Sequence, residues 1–167
     1  LLTLAPELTT PATIQHLVRQ GLIIAAGHSA ADYEQATQAL KAGVAGFTHL
    51  YNAMSPLQGR APGMVGAALA DESSWFGIIA DGHHVHPAAF KAAVRAKRSG
   101  GALLVTDAMA PVGAPDCTFA LGEQMLRACN GRIVNDAGRL AGSALDMLSA
   151  VNNAAQFAGI DWFEAQR

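Results

Sequence analysis

Gly46-Phe47-Thr48-His49-Leu50-Tyr51-Asn52-Ala53-Met54 is the stretch on which the fold turns. It opens as the buried end of a strand, with Val44 and Phe47, and closes in three polar groups, Thr48, His49 and Asn52. Gly59, Arg60, Pro62 and Gly63 follow as a loop, because glycine and proline punctuate regular structure. Two further segments share the design. Leu22-Ile23-Ile24-Ala25-Ala26-Gly27 runs into His28, and Leu103-Leu104-Val105-Thr106 runs into Asp107. Three apolar strands, each carrying a ligand-type or proton-transfer side chain at its C-terminal end, organise the chain.

Working outward, the expected strands are Leu2–Ala5, Leu22–Ala26, Gly46–Leu50, Trp75–Ala80 and Leu103–Thr106. Their continuous apolar runs suit a parallel sheet covered on both faces. Helices are expected between them. Thr9 or Thr10 caps one over Pro11–Gln20, with Ile14, Leu17 and Val18 on one face and Gly21 as its stop. Ser29 or Asp32 caps the next, to about Ala42, before Gly43. A short helical turn is expected over Val65–Leu69, and Pro87 opens a helix to about Arg98.

Strand and helix in alternation, joined by short connections, read as βα units. Functional residues that follow strands obey the rule of the (β/α) barrel and equally that of open α/β sheets. No glycine-rich dinucleotide fingerprint follows the first strand.

Beyond Asp107 the pattern changes. Phe119–Leu121, Gln124–Arg127 and Arg132–Val134 are β-like, and Asn130-Gly131 is a hairpin signal. Leu140-Ala141-Gly142-Ser143 leads into a helix over Ala144–Phe157, with Leu145, Leu148, Val151 and Ala155 as its buried face. Asp161 caps a last helix that is still running at Arg167. The chain also starts inside a strand, so it reads as a piece of a longer protein.

The totals are those of a globular domain: 167 residues, 51% hydrophobic and 14% charged, with a net charge of -2. That balance gives no reason to expect nucleic acid or a membrane surface as partner. Cys117 and Cys129 lie in no metal-type spacing and read as reduced thiols, which makes a cytoplasmic location the default. No apolar run reaches the roughly 18 residues of a membrane span.

His28 and His49 lie 21 positions apart, about one βα unit, so a parallel sheet sets them level on neighbouring strands. Histidines at strand ends are commonly structural, hydrogen-bonded groups. Two at matching positions favour a divalent metal site instead, for which neutral imidazole is a good ligand. Asp107 is then a general base that takes a proton from water and returns it to a leaving group. Ala-Met-Ala-Pro after it is a poor helix start, which argues against a capping role. Arg60 is either a solvated loop charge or a clamp for phosphate or carboxylate. Asp81-Gly82-His83-His84-Val85-His86 holds three histidines, of which spacing alone selects none.

Seven segments in order carry a resemblance: Thr3-Leu4-Ala5-Pro6-Glu7, Ala26-Gly27-His28-Ser29, Thr48 to Met54, Gly59-Arg60-x-Pro62-Gly63, Ile79 to Val85, Val105-Thr106-Asp107-Ala108 and Leu140 to Ala144. Together they resemble the N-acetylglucosamine-6-phosphate deacetylase family of the amidohydrolase superfamily, over almost the whole chain. The resemblance implies an α/β fold: a partial TIM-type barrel of about five parallel βα units, a β-hairpin insertion and C-terminal helices. The chain would be the C-terminal portion of the barrel domain. The implied activity is metal-dependent hydrolysis of the N-acetyl group of N-acetylglucosamine 6-phosphate.

The same resemblance makes His28 and His49 the histidine ligands of a divalent metal, zinc or iron, and Asp107 the catalytic acid and base. Asn52, Ala53, Arg60, Asp81, His84, Leu140, Ala141 and Gly142 become substrate contacts, with Arg60 on phosphate and Leu140 to Gly142 read as a loop over the sugar. His84 is also a candidate donor to the oxyanion. In this family the arginine can reach a neighbouring subunit's site, so a homodimer or higher homo-oligomer is expected. The family's glutamate ligand, in a His-Leu-Glu-Gly-Pro-like motif, has no match here. Other readings are a different amidohydrolase, such as a deaminase or cyclic amidase, or a catalytically incomplete scaffold.

Overall fold

The computed structural model describes residues 1–114, 118–122, 124–129 and 131–166. The expected turn residue Asn130 and the thiol of Cys117 lie outside the described residues, as does the side chain of Cys129. Two compact units emerge, Leu1–Ile78 with Ala92–Leu103, and Ile79–Lys91 with Leu104–Arg167.

A five-stranded sheet has a spatial order that is its sequence order: β1 (Leu2–Leu4), β2 (Ile24–Ala26), β3 (Val44–Phe47), β4 (Trp75–Ile79) and β5 (Ala102–Val105). The pairs β1–β2, β2–β3 and β3–β4 are parallel. A parallel pair needs a crossover, and helices supply it here. Helix α1 (Pro11–Arg19) is capped by Thr10, whose hydroxyl accepts from the Thr13 N–H, and Pro11 takes the first helical position. Helix α2 (Tyr33–Ala42) begins in a reciprocal capping box. The Asp32 carboxylate accepts from Gln35 N–H, and the Gln35 side chain accepts from Asp32 N–H. Helices α3 (Gly63–Ala70) and α4 (Pro87–Ala96) follow.

Strand β2 is shorter than its apolar run. Leu22 and Ile23 are 37% and 55% exposed, and the ladder with β1 starts only at Leu2 opposite Ile24. Hydrophobicity marks the run, but pairing sets the strand. For the same reason β3 stops at Phe47, and Leu50 is buried in a turn.

Gly46 stands opposite Trp75, and a Cβ on it would lie 2.2 Å from the indole ring. The strand carries glycine there because the ring lies across its backbone. Gly46→Ala is therefore expected to destabilise the fold by about 2 kcal/mol or more, the cost of overpacking a rigid neighbour. Thermal or denaturant unfolding measures it, and an unchanged midpoint would show that the ring moves away freely.

The second unit holds a four-stranded antiparallel sheet, β6 (Thr118–Leu121), β7 (Gln124–Cys129), β8 (Arg132–Asn135) and β9 (Leu140–Ser143). The expected hairpin insertion is thus a larger sheet. Leu140, Ala141 and Gly142, read as a loop, form its edge strand, because Leu140 pairs with Val134 and Ser143 with Arg132.

Helix α5 (Met147–Ala158) starts at its cap, Asp146, and Gly159 ends it; α6 (Trp162–Gln166) follows. The buried face of α5 is Ala150, Val151, Ala154 and Ala158, whereas Leu148 is 63% exposed. The helix starts after Asp146 rather than at Ala144 because the Asp146 carboxylate caps it; of the expected face Val151 is buried, while Ala150, Ala154 and Ala158 fill the rest in place of Leu148. Leu145, ahead of the cap, packs with Ile79 and Ala150 in a core that Leu104 and Val105 join.

Candidate metal and acid–base centre

The register of β2 and β3 carries the histidine pair. Ala26 stands opposite Phe47, so His28 and His49 each lie two residues past a matched pair. Earlier in the ladder the offset is one residue smaller, with Ile24 opposite Val44. The irregularity, one extra residue at Ala45, shifts everything after it by one position. Without it Thr48 would stand level with His28. Bulges re-aim side chains in this way, since a one-residue slip reverses the face a residue presents.

The two Nε2 atoms lie 2.9 Å apart, with the rings edge-to-face at 80°. Two nitrogens bound to one cation at about 2.0–2.1 Å each lie roughly 3 Å from one another, so the pair fits half of a metal's donor set. Among the described residues, no group of three or more histidine, cysteine, aspartate or glutamate side chains comes together to hold a metal. Among the described residues the pair therefore supplies two donors.

His28, His49 and Asp107 all have left-handed backbones, with φ of 49°, 33° and 50°. Non-glycine residues hold such angles at a cost of order 1–3 kcal/mol each, and such strain gathers at functional sites. The surroundings of each histidine show how the angle is kept. After His28, the Ser29 N–H donates to the carbonyl of Ala53 at 2.9 Å. The Glu7 carboxylate accepts from the Ser29 hydroxyl at 2.5 Å and from Ala30 N–H at 2.7 Å. Glu7 thus holds the turn that presents His28. Around His49, Thr48 N–H donates to Ala26 O and Leu50 N–H to Gly77 O. His49 is 7% exposed, whereas His28 is exposed.

Asn52 turns its amide NH2 back onto the carbonyls of His49 and Leu50, both at 3.3 Å. Ala53 is also left-handed, at φ 48°. Arg60 is exposed and makes no ion pair among the described residues.

In the second unit, Asp107 is exposed and gripped through its backbone. Ser143, fully buried, donates its N–H to the carbonyl of Asp107 at 2.8 Å and its hydroxyl to that of Thr106. The carbonyl of Ser143 accepts from Met109 N–H at 3.0 Å. A Cβ on Gly142 would lie 2.4 Å from Met109 Cγ, and its φ is 81°, so both space and backbone call for glycine. Ser143 and Glu7 are positioning residues that reading the sequence missed. Each sits in a recognised segment, yet only three-dimensional pairing tells what it holds.

Asp81 and His84 form a close pair. The His84 Nδ1 lies 2.6 Å from Asp81 Oδ2, with their side chains 7% and 4% exposed. Asp81 Oδ1 accepts from the N–H groups of His83 and His84, each at 2.8 Å. Burial pushes the Asp81 carboxyl up, but hydrogen bonds from His84 and the two amides outweigh it and hold it below its ordinary value. A lowered folded value means stabilisation present above the ordinary carboxylate range and lost as the pH falls through the lowered one. His83 turns elsewhere: its Nδ1 accepts from Arg132 Nε at 3.2 Å.

No family model matches the chain. Curated relatives do. It is similar to an N-acetylgalactosamine-6-phosphate deacetylase of Shewanella sp. (strain ANA-3), 51% identical over 93% of this chain and 39% of the relative. An N-acetylglucosamine-6-phosphate deacetylase of Vibrio furnissii is 45% identical over 90% of this chain and 38% of its own length. A shorter relative from Escherichia coli (strain K12), provisionally named for N-acetylgalactosamine-6-phosphate deacetylation, is 41% identical over 70% of each chain. The chain thus spans about two fifths of the length of the first two relatives.

Among solved structures, the N-acetylglucosamine-6-phosphate deacetylase of Pasteurella multocida superposes with a TM-score of 0.92 at 38% identity, over 98% of this chain and 43% of that one. A Mycobacterium smegmatis variant in complex with N-acetyl-D-glucosamine-6-phosphate gives 0.91 at 33%, over 98% and 43%. With relatives this similar over nearly its whole length, and the histidine pair in place at its strand ends, the chain belongs to the N-acetylglucosamine/N-acetylgalactosamine-6-phosphate deacetylase family.

Proposed function

We propose that the protein to which this chain belongs hydrolyses the N-acetyl group of N-acetylglucosamine 6-phosphate, giving glucosamine 6-phosphate and acetate. The convergence of His28 Nε2 and His49 Nε2 at 2.9 Å, on strained backbone at the ends of two parallel strands, carries the reading within this family. The two rings would hold a divalent cation, zinc or iron, to which the described residues bring no third ligand. When bound, that cation supplies Lewis-acid chemistry at the acetyl carbonyl.

The remaining steps belong to side chains. Asp107 takes a proton from the attacking water and passes it to the departing nitrogen, which leaves poorly until protonated. Arg60 meets the phosphate, for which a guanidinium fork is well shaped. Asn52, Ala53, Asp81, His84 and Leu140 to Gly142 serve the substrate, and a donor in the completed site stabilises the oxyanion. The chain forms the C-terminal part of a barrel domain in a cytoplasmic homo-oligomer without nucleic-acid or membrane partners. Among the described residues no helix is long and apolar enough to cross a membrane. The 51% identical Shewanella relative favours a second reading, in which the galactosamine epimer is the substrate.

A panel of both epimers, each with and without the 6-phosphate, tests the proposal. Deacetylation that depends on phosphate supports it, and equal rates without phosphate would overturn it. Arg60→Ala is expected to raise KM for the phosphorylated substrate about 10- to 100-fold, the worth of one or two charge-assisted hydrogen bonds. An unchanged KM would free Arg60 of that role.

A further inference from the structure

We propose that Asp81 is a positioning residue that sets the tautomer of His84, so that the neutral imidazole presents Nε2 as a hydrogen-bond acceptor toward a substrate hydroxyl. The inference rests on the deacetylase reading and changes the part Asp81 plays in it. A carboxylate 2.6 Å from Nδ1 requires that nitrogen to carry the proton and donate it. In the neutral ring the lone pair then belongs to Nε2, which has no protein partner among the described residues.

The carboxylate is spent on its own loop. One oxygen takes the His84 ring, and the other takes two amide N–H groups of the same turn. With its side chain 4% exposed, Asp81 is enclosed by the loop it organises. The turn is anchored on both sides. Asn153 donates its amide to the carbonyl of Ala80 at 2.8 Å, and Gly82 takes a φ of 75°. His84 is therefore a ring with one nitrogen fixed and the other available. A sugar, which offers hydroxyl donors around its ring, matches that single acceptor.

Asp81→Asn separates this role from a direct contact. The amide oxygen still accepts from the two backbone N–H groups, while the NH2 faces Nδ1 and can only donate. His84 must then move its proton to Nε2, turning the acceptor into a donor. In the full-length protein with 15N-labelled histidine, the wild type is expected to show a protonated Nδ1 and a bare Nε2 at His84. Asp81→Asn is expected to show the reverse. Its kcat/KM should fall about 10- to 100-fold, as when the partner orienting a working histidine is lost. In a His84→Ala background the same change should add nothing, because groups acting as one unit are non-additive.

A bare Nδ1 in the wild type would overturn the proposal without any variant. So would losses that multiply in the double variant, since Asp81 would then touch the substrate itself. The NMR readout needs neither substrate nor turnover. A wild-type protein that deacetylates neither epimer would sink the functional reading and leave the tautomer result standing.

Discussion

Asp107→Asn in the full-length enzyme is expected to lower kcat by about 10²- to 10⁴-fold, the usual worth of a general acid–base group. KM should change little. Asparagine keeps the size and the backbone grip, since Ser143 holds the Asp107 carbonyl and not its carboxylate. What disappears is a group that can accept a proton and return it. The amine leaving group makes that return obligatory, so no second route of similar speed exists. Unfolding should be nearly unaffected, because the side chain is exposed. Steady-state kinetics on the preferred 6-phosphate substrate, with equilibrium binding to the variant, gives the answer. A rate within threefold of wild type would remove Asp107 from the chemistry.

His49→Ala is expected to empty the metal site. The pair supplies both of the donors brought together among the described residues, and losing a direct ligand should weaken metal retention at least as much as losing a supporting partner, about 100-fold. Metal analysis of the purified protein should fall from stoichiometric to residual, with turnover falling in step. His28→Ala should do the same to the metal, but it should cost less stability. His28 is exposed, whereas His49 is 7% exposed and its truncation leaves a void beneath the sheet end. The contrast is informative: equal metal loss with unequal loss of stability separates ligation from packing. Full metal content in either variant would exclude that histidine as a ligand.

Much of the first unit was readable from local chemistry. Thr10, Pro11, Asp32 and Gly43 act within a turn or two of themselves, so caps and stops fell at or beside their expected positions. The buried run Ile24–Ala26 and the interval between His28 and His49 reflect the repeat of one βα unit. What stayed hidden depends on partners far along the chain. The extra residue at Ala45 shows only against β2. Leu140–Ser143 carries a glycine and few strand formers, and becomes a strand only because β8 offers an edge. The exposure of Leu148 follows from where the Asp146 cap starts the helix, not from hydrophobicity.

By itself, the order of residues determined the chemistry on offer: two imidazoles and a carboxylate at the ends of apolar strands, with family-specific segments around them. Tertiary structure decided which atoms face one another. It turned His49 toward His28 through a bulge, locked Asp107 in a left-handed backbone through Ser143, and spent the Asp81 carboxylate on His84. The reason is one of range. Caps and periodicity act over a few residues, whereas register, strain and hydrogen-bond partnership are set by segments that meet only when the sheet forms.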